Sequence, residues 1–341
     1  MEDAAAIELD TRRGARMVAA TACALLALVA SVDFVVNPLG YYPYRYFPPL
    51  TWSSRVQKVE LMRAAPPPRA LVLGSSRSMQ LDLGVVGSWA GGPAFNASVD
   101  SARAEDVDAL LGFAIEEREW RPDRVLIGID PEMFHPTAPP DGRTFGAPEM
   151  RSRLRPRLAA RLAWQALTSA LTFDTFRGSL SVLRANASSA QSPATTEFEA
   201  DGHLRRRDWE REIAAGTFRL DVEPSIAEYR ARFAGLDAEP DPDRVDALHA
   251  AVDRVRAVGG ELILFVTPLH ASLRAALART SHYENVHART LALLDGFAGP
   301  GVTGVDCSDV ASFGGEPDGF VDGAHIDAPN ATRLTRFLTS Q

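Results

Sequence analysis

Lys58 is the only lysine in a chain with 36 lysine and arginine residues; arginine supplies every other positive side chain. The arginines form no binding stripe. Their densest run, Arg205-Arg206-Arg207, reads as a solvated turn. With a net charge of −8, the composition argues against a nucleic-acid partner, which requires a basic face. Cysteine is nearly as scarce. Cys23 falls inside an apolar run and Cys307 follows a predicted strand far away, so no disulfide is expected between them and stability must come from the core. No Gly-x-Gly-x-x-Gly follows the first predicted strand, which removes a dinucleotide site and, with it, the dehydrogenase and kinase readings. His135, His203, His249, His282 and His287 lack metal-ligand spacing, and no His-Glu-x-x-His pair is present. There is no internal repeat of fixed period.

What the chain does have is apolar length. Of its 341 residues 46% are hydrophobic, enough to bury a sizeable core. Met17 to Val32 carries no charge, and with Phe34-Val35-Val36 the run is broken only by Asp33, close to the ~20 residues that span a bilayer. Arg12, Arg13 and Arg16 stand just before it and favour a cytoplasmic amino terminus. Tyr41, Tyr42, Tyr44, Tyr46, Phe47 and Trp52 follow it, and such rings favour the membrane–water interface. The competing reading is a cleaved signal peptide, whose best small-x-small site is the weak Val29-Ala30-Ser31. An uncleaved signal anchor over 17–36 is the preferred expectation, with 1–16 cytoplasmic and the rest of the chain extracytoplasmic.

Residues 37–68 carry Pro38, Pro43, Pro48, Pro49 and Pro66-Pro67-Pro68 and read as a stiff stalk, with room for a short helix at Arg55 to Met62. Strands are predicted at Leu71-Val72-Leu73, Pro93–Asn96, Arg124–Asp130, Leu262–Val266 and Val302–Val305. Helical stripes lie between them: Val107, Leu110, Leu111, Ala114 and Ile115; Val245, Leu248, Val252 and Val255, stopped by Gly259-Gly260; and stretches at Ala271–Ala278, His287–Phe297 and Ala328–Thr339. Strands alternating with helices predict an α/β domain over 69–341 with a parallel sheet covered on both faces. From about 136 to 240 the alternation lapses. Prolines, helical stretches at Leu154–Leu171 and Ile226–Leu236, and a polar excursion at Ala185–Thr196 suggest an insertion over the sheet, such as a cap.

The chemistry sits at two remote points. After the first strand comes Gly74-Ser75-Ser76-Arg77-Ser78, and hydroxyls at the carboxyl end of a buried strand stand where open α/β sheets place ligands. The plain alternative is a serine-rich turn. Near the end stands Asp322-Gly323-Ala324-His325. An aspartate bonded to histidine Nδ1 fixes the tautomer and leaves Nε2 to take a proton from a serine hydroxyl. Here the plain alternative is a helix start in which Asp327 caps and Asp322 sits in a turn. His270, closing the fourth predicted strand, is a weaker candidate to face the site, and Arg77 reads as a brace for the serine turn.

Gly74-Ser75-Ser76, the turn Asn96 to Ser101, the strand end Gly128-Ile129-Asp130 and Asp322-x-x-His325 resemble, in order, the blocks of the SGNH (GDSL-type) hydrolases. The likeness is closer to the membrane-anchored branch that includes DltD-like and polysaccharide O-acetylation proteins. It covers the chain from about Leu71 onward, the insertion apart. It implies a three-layer α/β/α domain with a flavodoxin-like sheet order. It also implies a nucleophile at Ser76, a histidine at His325 and its orienting carboxylate at Asp322, with no metal or cofactor. The family's oxyanion donors are the nucleophile's N–H, a backbone N–H in the second block and an asparagine amide in the third. Here these fall on Ser76, on Ser101 where the family usually has glycine, and on Asp130, which accepts hydrogen bonds when ionised. Asn96 is the obvious substitute amide; the plain alternative, at the end of a different strand, is that it holds a turn. The implied function is an esterase or O-acyltransferase acting on acyl groups of a cell-envelope glycan. The alternative is a non-catalytic accessory domain beside a membrane-bound O-acyltransferase.

Overall fold

A computed structural model describes residues 2–42, 44, 46–50, 53–187, 197–205, 207–234, 236 and 239–341. Pro43, Trp52, Arg206 and residues 188–196 of the polar excursion lie outside the described residues. The strands are β1 (Ala70–Leu73), β2 (Ala94–Asn96), β3 (Arg124–Ile129), β4 (Glu197–Phe198), β5 (Leu204–Arg205), β6 (Glu261–Val266) and β7 (Val302–Asp306). The first helices are α1 (Glu2–Val36), α2 (Ser54–Ala64), α3 (Leu83–Ala90), α4 (Ala104–Gly112), α5 (Pro148–Arg151), α6 (Pro156–Ser169) and α7 (Phe173–Ala187). They are followed by α8 (Arg207–Ala214), α9 (Glu223–Phe233), α10 (Pro242–Ala257), α11 (Ala271–Thr280), α12 (Tyr283–Phe297) and α13 (Ala328–Leu338).

Five strands pair in parallel in the order β2-β1-β3-β6-β7, the order of flavodoxin-type sheets. The side-chain period of two explains the two cores. Leu71, Leu73, Val125, Ile127, Ile129, Leu262, Leu264 and Val266 face one cluster with α4 and α10. Ala70, Val72, Leu126, Ile263 and Phe265 face another with α3 and α13. Because both faces are covered, each strand reads as a continuous apolar run. β4 and β5 form an antiparallel hairpin of their own.

The stalk expectation is corrected. α2 is part of the globular domain: Val59 and Met62 enter the first core, and Arg55, wholly buried, forks onto Asp106 of α4 at 2.8 and 2.7 Å. Proline content misled here because it reports stiffness, not exposure. The lone lysine belongs to the same junction. Lys58 Nζ donates to the carbonyls of Asn96 and Gly202 and lies 4.1 Å from the Phe198 ring centroid, joining α2, the end of β2 and the hairpin. Burial lowers its pKa to about 7 against the pull of Asp100 and Asp201.

The N-terminal helix α1 contains one stretch, Arg12–Val36, long and apolar enough to cross a membrane, with mean hydropathy 2.2 and little of it buried. Its last turns touch α7, and Phe34 packs against Tyr42 and Tyr44 of the segment that follows.

Candidate active site

Parallel register carries the first three blocks to one edge. Leu73 pairs with Ile127, and the N–H of Val99 donates to Gly74 O at 3.0 Å. Ser76, Ser101 and Asp130 each follow these positions by a residue or more, so all three emerge at the carboxyl end of the sheet. Gly74 has φ +136°, where side chains other than hydrogen are strained. Gly128 is required by packing instead: an added Cβ would stand 2.0 Å from Ser78 Oγ, which is wedged between β1 and β3.

The last block reaches the same edge by a closed loop. Val321 N–H donates to His325 O at 2.8 Å, and Phe320 bridges Ile326. Gly323 fastens the loop outward, donating to Ser225 Oγ of α9 at 3.0 Å and accepting from His270 N–H at 3.0 Å. The result brings the three remote groups together. Ser76 Oγ lies 2.8 Å from His325 Nε2, and His325 Nδ1 lies 2.8 Å from Asp322 Oδ2. Burial pushes the Asp322 carboxyl up, but the His325 bond and charge, with the N–H groups of Ala324 and His325, outweigh it and hold it at about 2. A depressed carboxyl contributes stability that is complete above the unfolded value of 3.8 and is lost as pH falls through about 2. At neutral pH Asp322 is therefore an anion that fixes Nδ1–H and leaves Nε2 facing the hydroxyl.

Asp327 takes the other role considered for this loop. Its Oδ1 accepts from Asn330 N–H at 2.9 Å, capping α13. Asp327→Ala is expected to cost about 1 kcal/mol in urea unfolding and to leave any Ser76-dependent chemistry intact, whereas Asp322→Ala removes that chemistry. Equal effects on chemistry from the two variants would refute this division.

The oxyanion side is less conventional. Ser101, which stands where the resemblance expects a glycine, adopts φ 48°, the left-handed region in which glycine is usual. Among the described residues the N–H groups of Ser76 and Ser101 donate to no turn or side-chain acceptor. Asp130 supplies no third donor. Its Oδ1 accepts from Thr267 Oγ1 at 2.6 Å and faces Arg77 Nη1 at 3.3 Å. Asn96 is fully buried and turned inward, donating to Ser78 O at 2.9 Å and accepting from Ser98 N–H at 3.0 Å. Its amide braces the serine turn and does not stand at the oxyanion edge.

Arg77 is the brace expected of it. Buried, it donates to Thr267 Oγ1 at 3.1 Å and to Glu132 Oε1 at 2.5 Å, under the ring of Tyr229. His270 caps α11: its Nδ1 accepts from Ser272 N–H at 3.2 Å, and its Nε2 faces Asp318 at 3.7 Å. Among the described residues no group of three His, Cys, Asp or Glu is placed to hold a metal ion.

Two neighbours of the site come from the insertion and carried no motif. Trp209 of α8 lies 6.4 Å from His325, ring centroid to centroid. Arg232 of α9 reaches Ser101 Oγ at 3.5 Å. The only sequence trace of Trp209 is its i, i+4 spacing with Ile213, and Arg232 is one arginine among many. Trp209 also lines a cavity of about 350 Å³, with Asp201, Glu210, Leu83 and Val321 among others, whose walls include none of Ser76, Asp322 and His325. No protein-family model matches the chain, and no curated protein is detectably similar to it.

Proposed function

We propose that this chain is a membrane-anchored, extracytoplasmic serine esterase or O-acyltransferase of the SGNH type, with a three-layer α/β/α domain, working on acyl groups of a cell-envelope glycan. The observation that carries the reading is the hydrogen-bonded line Ser76–His325–Asp322, drawn from residues 249 apart in sequence. Ser76 Oγ attacks an ester carbonyl while His325 Nε2 takes its proton; the imidazolium formed is stabilised by Asp322. The tetrahedral oxyanion is received by the N–H groups of Ser76 and Ser101. His325 then returns the proton to the leaving alcohol, and water or a sugar hydroxyl releases the acyl group by the same steps reversed. A hydroxyl-rich acceptor suits this cavity, where the indole of Trp209 offers a stacking face and Asp201 and Glu210 accept hydrogen bonds.

One observation favours the accessory reading: the asparagine position holds Asp130, an acceptor tied to Arg77. A fluorophosphonate probe separates the two. The full chain in detergent is expected to take the label at Ser76, and Ser76→Ala is expected to lose it. No Ser76-dependent labelling would leave the non-catalytic reading, a binding domain partnering a membrane-bound O-acyltransferase.

A further inference from the structure

Outside α1 and the segment that leaves it, the large apolar side chains exposed among the described residues are Trp164, Leu167, Leu171, Phe173 and Ile213. Four of them fall together on α6 and the turn into α7. Trp164, Leu167 and Leu171 follow i, i+3, i+7 spacing, one face of a helix. The opposite face, Leu158, Leu162 and Ala166, is buried in the domain. α6 is therefore apolar on two sides, with Trp164 68% and Phe173 at the turn 72% exposed. A contiguous patch of this kind on an otherwise polar surface marks an interaction site.

The place of the patch says what covers it. Both helices are tied to the point where α1 enters the domain. Ser179 Oγ of α7 donates to Asp33 Oδ1 at 2.6 Å, and the Tyr41 phenol lies beside Ser169, the last residue of α6. A Cβ added at Gly178 would lie 3.2 Å from Leu50 and 3.5 Å from Pro38, so α7 also rests closely on the segment after α1. The uncharged part of α1, Met17 to Val32, has 16 residues, about 24 Å at helical rise, a few Å less than a hydrocarbon core of about 30 Å. The turn that follows it, with Asp33, emerges at headgroup depth, and the hairpin fastened to that turn is held there too.

We propose that α6 and the α6–α7 turn are a second membrane contact, in which Trp164, Leu167, Leu171 and Phe173 enter the headgroup–acyl boundary of the bilayer that α1 crosses. Interfacial helices bury such a face about 5–10 Å deep. The domain is then clamped to the surface at two points and does not swing from a stalk. This holds whether or not Ser76 is a nucleophile.

The test uses the full chain reconstituted in phosphatidylcholine–phosphatidylglycerol vesicles, with and without lipids brominated near the top of the acyl chain. The emission of Trp164 is read as the difference between the natural chain and Trp164→Phe, which keeps the other tryptophans. Bromine is expected to remove most of that difference signal at every protein-to-lipid ratio. A water-exposed, unquenched difference spectrum overturns the proposal. So does a shielded but unquenched one that grows with protein-to-lipid ratio, since a second copy would then cover the face. Should Trp164→Phe perturb the fold, a bimane label on Leu171→Cys gives the same reading with the same outcomes.

Discussion

His325→Ala is expected to lower kcat/KM for a simple acetyl ester by a factor on the order of 10³ to 10⁶ while leaving the melting temperature nearly unchanged. The ring does two things: Nδ1–H bonds Asp322 and Nε2 faces Ser76 Oγ. Without it the serine keeps its proton at neutral pH, and an un-ionised hydroxyl is a poor nucleophile. The fold loses little, because the loop is held by other bonds. Val321 N–H still reaches the carbonyl of residue 325, Gly323 still meets Ser225, and the Asp322 carboxylate keeps the N–H groups of Ala324 and residue 325. Asp322 is also about a quarter exposed, so water can solvate what the imidazole leaves. Asp322→Asn is the companion variant: it preserves shape but no longer favours the Nδ1–H tautomer, and a loss of about 10⁴ in kcat is expected. Turnover in His325→Ala equal to that of the natural chain would remove His325 from the mechanism, whatever the stability data.

The contrast between strand and insertion explains how much of this was legible in sequence. Strands buried on both faces, such as Arg124–Ile129 and Glu261–Val266, announce themselves as apolar runs, and the parallel register follows from their alternation with helices. The order of blocks then determines which residues can meet, which is why Ser76, His325 and Asp322 could be named from residues 249 apart. The missed elements have local reasons. α3, Leu-Gly-Val-Val-Gly-Ser-Trp-Ala, carries two glycines that weaken its helical signal and depends on its Asp82 cap. α7 does carry a helical stripe, Phe173, Phe176, Leu180 and Leu183 at i, i+3, i+7 and i+10, but the helix is broken by Gly178 and buries fully only Thr175, Ser179 and Val182. The insertion reads as a cap, and it divides: α8 and α9 do bring Trp209 and Arg232 to the site, while α6 and α7 turn to α1. That division depends on tertiary contacts such as Asp33–Ser179, which no local pattern encodes.

Arg77→Met is expected to destabilise the domain by about 3–5 kcal/mol near pH 8, with a smaller loss near pH 5. The guanidinium stands between two carboxylates, Asp130 at 3.3 Å and Glu132 at 2.5 Å, with its own side chain 1% exposed. Burial alone would lower its pKa, but those two anions outweigh the burial and keep it charged. Burial also pushes the Glu132 carboxyl up, and Arg77 is the main group opposing that shift. Methionine fills the space of the aliphatic stem but leaves two buried carboxylates facing each other. The Glu132 carboxyl, already pushed up by burial, then rises further without the charge that opposed it. A raised carboxyl stabilises relative to the unfolded chain only while protonated, so the variant's deficit opens as pH climbs through the new folded value of Glu132. Adding Glu132→Gln removes one of the stranded charges and is expected to recover part of the loss and flatten its pH dependence. Urea unfolding at the two pH values measures both effects. A deficit independent of pH, or no recovery in the double variant, would mean that Arg77 acts through packing against Tyr229 and not through charge. Because Thr267 and Asp130 hang on the same guanidinium, the single variant is also expected to loosen the strand end that faces Ser76, so labelling by the fluorophosphonate should fall in Arg77→Met even under conditions where the chain remains folded.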